Sequence, residues 1–302
     1  MTDAEILEWL VSGDPSVAFQ ARRDLEGVVD LALQKRIATE GWGAGFLAAA
    51  HRDGSWGRAY YSPKWISTHY TLLDLRIIGL PRDNPLARRA VDKALAENHS
   101  TGGSLIDDVC INGMALNFCA WFGASEDQLR RLIDYILERR LADGGFNCDI
   151  KRGPVHHASM HTTICVLEGF AEYEAAGHRY RLNEVQTASA AAREFLLVHR
   201  LFRSHRTGEI INDDFLRFPF PPRYKYNVLR ALDHFRFVGA ARDPRMDEAL
   251  DIVRARRTPD GRWKSTSLMS GELHLRMEQA GKPGRWQTLI ALRTLRHFAQ
   301  ER

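Results

Sequence analysis

Four cysteines, two acidic doublets and a histidine cluster are the residues of this sequence best suited to chemistry. The cysteines are Cys110, Cys119, Cys148 and Cys165, with no Cys-x-x-Cys pair among them. In a reducing compartment they are thiols, buried or metal-binding, rather than disulfides. The doublets are Asp107-Asp108 and, after Asn212, Asp213-Asp214. Glycosidic-bond cleavage needs two carboxylates, one as general acid and one as nucleophile or base. Asp107 or Asp108 with Asp149, Asp213 or Asp214 could supply them, with Trp56 and Trp263 as stacking platforms. The same aspartates also read as helix caps or solvated turns. His156, His157 and His161 form a cluster in which His157 and His161, four apart, share a helix face. That cluster is expected near a pocket.

The elements that must position these groups are helices. Ile6, Leu7 and Leu10 make one stripe, and Val17, Ala18, Ala21, Leu25 and Val28 another. A pattern then recurs: a Gly-containing turn, a strongly apolar helix, a second turn, and an Arg-rich amphipathic helix. The turns begin at Asp53-Gly54-Ser55-Trp56-Gly57, Thr101-Gly102-Gly103-Ser104, Asp143-Gly144-Gly145-Phe146, Thr207-Gly208-Glu209-Ile210 and Asp260-Gly261-Arg262-Trp263. Their first glycines are 48, 42, 64 and 53 residues apart. Apolar helices are expected over 65–75, 110–120, 160–170, 224–232 and 286–295, with charged partners over 86–95, 126–137, 186–198 and 244–254. Such hairpins cannot bury their apolar faces singly, so they must stack, apolar helices inside and amphipathic ones outside. An open solenoid is the competing arrangement. The stretch 172–206 has no clean pattern and reads as an added helix or a lid.

The composition bounds the partners. Of 302 residues, 44% are hydrophobic and 26% charged, and 42 Lys and Arg against 38 Asp and Glu leave a net charge of +4. Arginine pairs such as Arg88-Arg89 and Arg139-Arg140 lie on helices with acids nearby, which is the pattern of a solvated face. No basic tail or nucleic-acid-binding signature is present, so nucleic acid is not an expected partner. No run reaches the ~18 apolar residues of a membrane span, and the polar start Met1-Thr2-Asp3-Ala4-Glu5 reads as that of a cytoplasmic protein. One domain is expected over 1–302, with residues 1–44 as an N-terminal helical cap and 45–302 as the repeats. The oligomeric state stays open.

The turns Asp53-Gly54-Ser55-Trp56, Asp143-Gly144-Gly145-Phe146 and Asp260-Gly261-Arg262-Trp263 resemble the repeat turns of the terpene cyclase and protein prenyltransferase superfamily. The resemblance runs from about residue 45 to 298. It implies an all-α fold, the α/α toroid: a barrel of about five helical hairpins, in inner and outer rings, after N-terminal helices. It also implies isoprenoid chemistry. The cyclase branch uses an Asp-x-Asp-Asp acid, and here only Asp107, Asp213 and Asp214 stand as candidates for that role. The prenyltransferase branch holds zinc with Asp-x-Cys and a later His. Asp108-Val109-Cys110 and His161 match those places, so zinc is the cofactor that the resemblance implies. Departures accompany the match. Gly102 and Leu105 stand where the family has its diphosphate-binding Arg and Lys, and Ile111 replaces a Tyr. Lys64, Arg223 and Lys225, near helix starts, are the substitutes at hand. Trp65, His69, Asn112, His157, Tyr226 and Trp286 are expected to line a central cavity, whose aromatic faces suit an isoprenoid chain or a carbocation. A carbohydrate-active (α/α) barrel and a non-catalytic helical scaffold are the alternatives.

Overall fold

The recurrent turns share one hydrogen-bond pattern. In a computed structural model that describes residues 1–97, 106–148, 155–266 and 270–299, Gly54, Gly144 and Gly261 lie at φ +82°, +90° and +86°. That is the left-handed region, which glycine enters without steric cost. Two residues on, the backbone N–H of Trp56, Phe146 or Trp263 donates to a threonine hydroxyl, that of Thr68 (2.9 Å), Thr163 (3.1 Å) or Thr288 (3.1 Å). The indoles of Trp56 and Trp263 donate in turn to the carbonyls of Phe46 and Val253. Each turn thus ties the end of one helix to the start of the next. The fourth turn is present at Gly208; Thr101–Ser104 lies outside the described residues.

Thirteen α-helices follow from this punctuation among the described residues. They are α1 (Asp3–Val11), α2 (Pro15–Ala21), α3 (Leu31–Arg36), α4 (Gly41–Ala48), α5 (Thr68–Ile77), α6 (Pro85–Glu97), α7 (Val109–Trp121), α8 (Glu126–Leu137), α9 (Met160–Ala175), α10 (Leu182–Val198), α11 (Val228–Phe237), α12 (Asp247–Ala255) and α13 (Arg285–Ala299). Among the described residues there is no strand, only three isolated antiparallel bridges.

Burial sorts the helices into two rings. α5 is buried without a break from Thr68 to Leu75, and α7 from Ile111 to Ala120. α8 buries only the stripe Leu129, Leu132, Ile133, Tyr135 and Ile136, and its Ser125 capping box fixes its start. The inner helices pack in succession, α5 on α7, α7 on α9, α9 on α11, α11 on α13 and α13 on α2, and α4 joins α2 to α5. The ring is therefore closed rather than solenoidal. The N-terminal helices supply a sixth hairpin, α1–α2, whose inner member α2 is buried at all seven positions. Residues 172–206 hold the end of α9 and the regular outer helix α10.

Two devices hold the ring. At the α7–α9 crossing the backbones touch: a Cβ added at Gly169 would lie 2.4 Å from the Gly113 carbonyl oxygen. At the seam between the ends of the chain, Arg293 of α13 bonds Asp24 at 2.8 Å and Asp233 of α11 at 2.5 Å, all three nearly buried. Across the middle runs Phe218–Pro222. The Phe218 carbonyl accepts from Gln287 Nε2, and the Phe220 ring stacks on Trp286 at 4.4 Å.

Candidate functional site

The N-termini of the inner helices gather the chemistry-bearing residues. Asp108 is the extended N-cap of α7, and Cys110 follows in its first turn. Cys148 comes from the segment after the Gly144 turn. One donor atom each from Asp108, Cys110 and Cys148 lies within 4.8 Å of the other two. The Cys148 sulfur accepts the Cys110 backbone N–H at 2.8 Å and the Thr162 hydroxyl at 3.2 Å. Bonding to Cys148, then burial, pushes the Cys110 thiol well up.

His161 stands outside this group. Its Nδ1 accepts the Tyr226 backbone N–H at 2.8 Å, and its ring sits edge-on to Phe215 and Tyr224. Burial, helped by the charges of Arg230 and Lys225, lowers it to about 4, so the ring is neutral. The structure thus brings Asp108 and Cys110 together as the spacing suggests, but with Cys148 as their third neighbour. Cys148 lies 38 residues after Cys110, and a thiol in the wake of an Asp-Gly-Gly-Phe turn was the only trace of this in the sequence.

An aromatic and cationic patch flanks the cluster. Lys64 is exposed, its ammonium 5.5 Å from the Tyr61 and Trp65 rings and 5.1 Å from Tyr224. Tyr61 is raised by burial, with the Cys110 and Asp108 charges adding to it, so the patch adjoins the cluster. Lys225 faces Asp214 at 3.7 Å. Arg223 does not reach solvent: it is buried, paired with Asp74 at 3.2 Å and set over the Trp65 ring.

The other expected site residues scatter. Trp65, His69, Asn112 and Tyr226 are packed into the core. Trp65 Nε1 donates to the Ser270 carbonyl, His69 Nδ1 meets the Tyr60 hydroxyl at 3.0 Å, Asn112 donates to the Ile106 and Asp108 carbonyls, and Tyr226 Oη donates to the Leu201 carbonyl. Burial lowers His69 to about 3. His157 is exposed. Asp107 and Asp213 are exposed, and Asp214 lies in a short 3-10 turn capped by Asn212 and is paired with Arg217. Trp56 and Trp263 are 1% exposed and offer no stacking face to a sugar. Asp149, Gly102 and Leu105 lie outside the described residues.

The ring encloses an axial cavity of about 150 Å³. All six inner helices reach it, through Gln20, Arg76, Asn117, Glu168, Arg230 and Arg293. Of the six residues expected to line a cavity, Trp286 lines this one. The less buried wall residues, Arg23, Trp121 and Phe237, sit near the C-terminal ends of inner helices. The mouth is therefore at the end opposite the Asp108–Cys110–Cys148 cluster, with Phe218–Pro222 forming the floor.

No family model and no curated protein sequence matches the chain. Solved structures do. A glycosyl hydrolase family 88 protein from Bacteroides vulgatus matches at 12% identity and TM-score 0.57, covering 97% of each chain. A polysaccharide lyase matches at 9% identity and TM-score 0.58, covering 98% of this chain and 97% of its own. The fold is an α/α toroid. The apo type II terpene cyclase MstE from Scytonema covers 88% of this chain and 96% of its own at 11% identity, with a TM-score of 0.36. The first two likenesses show the α/α toroid fold expected from the turns, and no branch or superfamily within it. Fold alone does not assign a reaction.

Proposed function

We propose that this toroid is a zinc-dependent enzyme whose working face is the N-terminal end of its inner helices, with Asp108, Cys110 and Cys148 as the ligands. One observation carries the reading: a carboxylate and two thiols from segments 38 residues apart converge within 4.8 Å. Zinc takes such oxygen and sulfur donors tetrahedrally, with two sulfurs at 2.3 Å lying about 3.8 Å apart. The cluster therefore needs a contraction of about 1 Å or less. Three protein ligands with a fourth place open is the pattern of a catalytic rather than a structural site.

Zinc held by Asp108, Cys110 and Cys148 would supply a Lewis acid able to favour the deprotonated form of a substrate thiol. The chain's own groups do the rest. The Cys110 N–H and the Thr162 hydroxyl fix the Cys148 sulfur, the outer-shell support that metal ligands require. Lys64, exposed on a bed of Tyr61, Trp65 and Tyr224, offers positive charge beside aromatic faces. That combination suits an anionic leaving group attached to an apolar body, in keeping with the prenyl-transfer chemistry implied by the turns and by Asp108-Val109-Cys110, though not by His161.

Elemental analysis of the reduced protein tests the site. One zinc per chain is expected in the wild type, lost in Cys110→Ser and Cys148→Ser and kept in His161→Ala. Zinc that survives Cys148→Ser, or a wild type that takes up none from zinc-containing buffer, overturns the assignment.

A further inference from the structure

The axial cavity lies apart from the cysteine cluster, across the Phe218–Pro222 segment, and the zinc reading makes no use of it. Its walls are built for something other than packing. Six arginines stand in or directly behind them, Arg23, Arg76, Arg82, Arg230, Arg236 and Arg293. Four carboxylates answer: Asp24, Glu168, Glu172 and Asp233. Six minus four leaves a surplus of two positive charges. Part of this arrangement satisfies helix C-termini, whose dipoles favour cations, but the hydrogen-bond inventory goes further.

Buried donors and acceptors in the wall have no partner. Trp286 is 1% exposed and its Nε1 bonds nothing. His234 is 4% exposed and neither ring nitrogen is bonded. Arg76 Nε is also buried without a partner. Groups of this kind are costly when left unsatisfied. Three residues that line one cavity thus carry unpaired N–H groups set back in its wall, and with the surplus of positive charge they suit an anionic acceptor. Between them the walls are aromatic, with Phe220 stacked on Trp286 and Trp121 at the rim under Arg82 and Arg76. A cavity of this volume accommodates a body about the size of benzene.

We propose that this cavity is a second ligand site, taking a small carboxylate with an aromatic or short aliphatic body, its anion against the arginines and its body against Phe220 and Trp286. Water is the competing occupant, and it would not discriminate between a charged and a neutral probe.

Titration calorimetry with benzoate and its neutral counterpart benzamide decides between them. Two variants serve as controls, each checked for an unchanged helical spectrum and a cooperative melt. Arg236→Gln removes a wall charge while Asp233 keeps Arg293; Ile290→Trp fills the cavity and leaves every charge in place. Benzoate is expected to bind saturably and at least tenfold more tightly than benzamide. Arg236→Gln is expected to erase most of that preference, and Ile290→Trp to abolish binding. No benzoate binding to the wild type, equal affinity for the two probes, or binding that survives Ile290→Trp overturns the proposal. Zinc content enters none of these readouts, so this site stands or falls apart from the metal.

Discussion

Cys148 and Glu278 show what single residues do here that their neighbours in sequence do not announce. Cys148 is held by two donors on different helices, the Cys110 N–H and the Thr162 hydroxyl. Glu278 is 8% exposed and accepts the Trp286 backbone N–H at 2.8 Å. Burial pushes its carboxyl up to about 7. A folded value above the unfolded 4.5 stabilises the native state in full below pH 4.5, and that contribution is lost as pH rises through about 7. The difference amounts to roughly 3 kcal/mol. Glu278→Gln keeps an acceptor for Trp286 and is expected to remove this pH dependence. Urea unfolding at pH 5 and pH 8 checks it: the wild type should lose stability between the two relative to the variant, and parallel losses would assign the effect elsewhere. Other residues were hard to place for a related reason. Trp65, His69 and Tyr226 have the composition of cavity walls, yet periodicity cannot say whether an aromatic on a fully buried helix faces the axis or the neighbouring helix. Here their polar atoms bond groups outside the axis, and the lining falls to Arg76, Arg230 and His234, which look like ordinary surface residues in sequence.

At the scale of elements, the turns were the most legible part of the chain because each residue in them has a separate physical duty. Glycine takes the left-handed conformation, the aromatic locks two helices, and a threonine on the next helix receives the aromatic's N–H. Helix starts were less legible. α5 begins at Thr68 rather than near Trp65, and α11 at Val228 rather than Tyr224, because Thr68 is held by the Trp56 turn and Asn227 caps α11 by accepting from Arg230 N–H. The turn of the hairpin α1–α2, Ser12-Gly13-Asp14, is followed by Pro15 where the other turns tie in an aromatic, and so the hairpin did not read as a ring member. The crowding at these elements gives a graded test. Alanine at Gly177, at φ +85° with open space around it, is expected to cost about 1–2 kcal/mol from backbone conformation alone. At Gly144, φ +90°, the added Cβ also meets the Ala191 carbonyl oxygen at 2.8 Å. Gly144→Ala should therefore cost clearly more than Gly177→Ala in denaturant titration, and equal costs would mean that the turn yields freely.

At the scale of the whole molecule, the toroid is a closed object whose closure rests on few contacts. Arg293 satisfies Asp24 and Asp233 at once across the seam. Replacing it with methionine keeps the apolar stem but leaves Asp24 to Arg23 alone and Asp233 to Arg236 alone. A loss of about 2–3 kcal/mol is expected, the scale of a lost charge-assisted hydrogen bond. Reversible unfolding of Arg293→Met against wild type checks it, and a loss under about 1 kcal/mol would show that helix packing alone shuts the ring. The two proposed sites occupy opposite ends of this ring, so a ligand at one has no steric claim on the other.

The seam also sets a schedule. Asp24 and Arg293 are separated by 269 residues. At ribosomal speeds of roughly 5–20 residues per second, the cation is made on the order of tens of seconds after Asp24. Throughout that interval α2, buried on every side in the finished ring, has no α13 to cover it. The nascent chain is thus an open arc with a sticky leading edge, and its exposure to chaperones or to another copy of itself is set by the time needed to make the last helix.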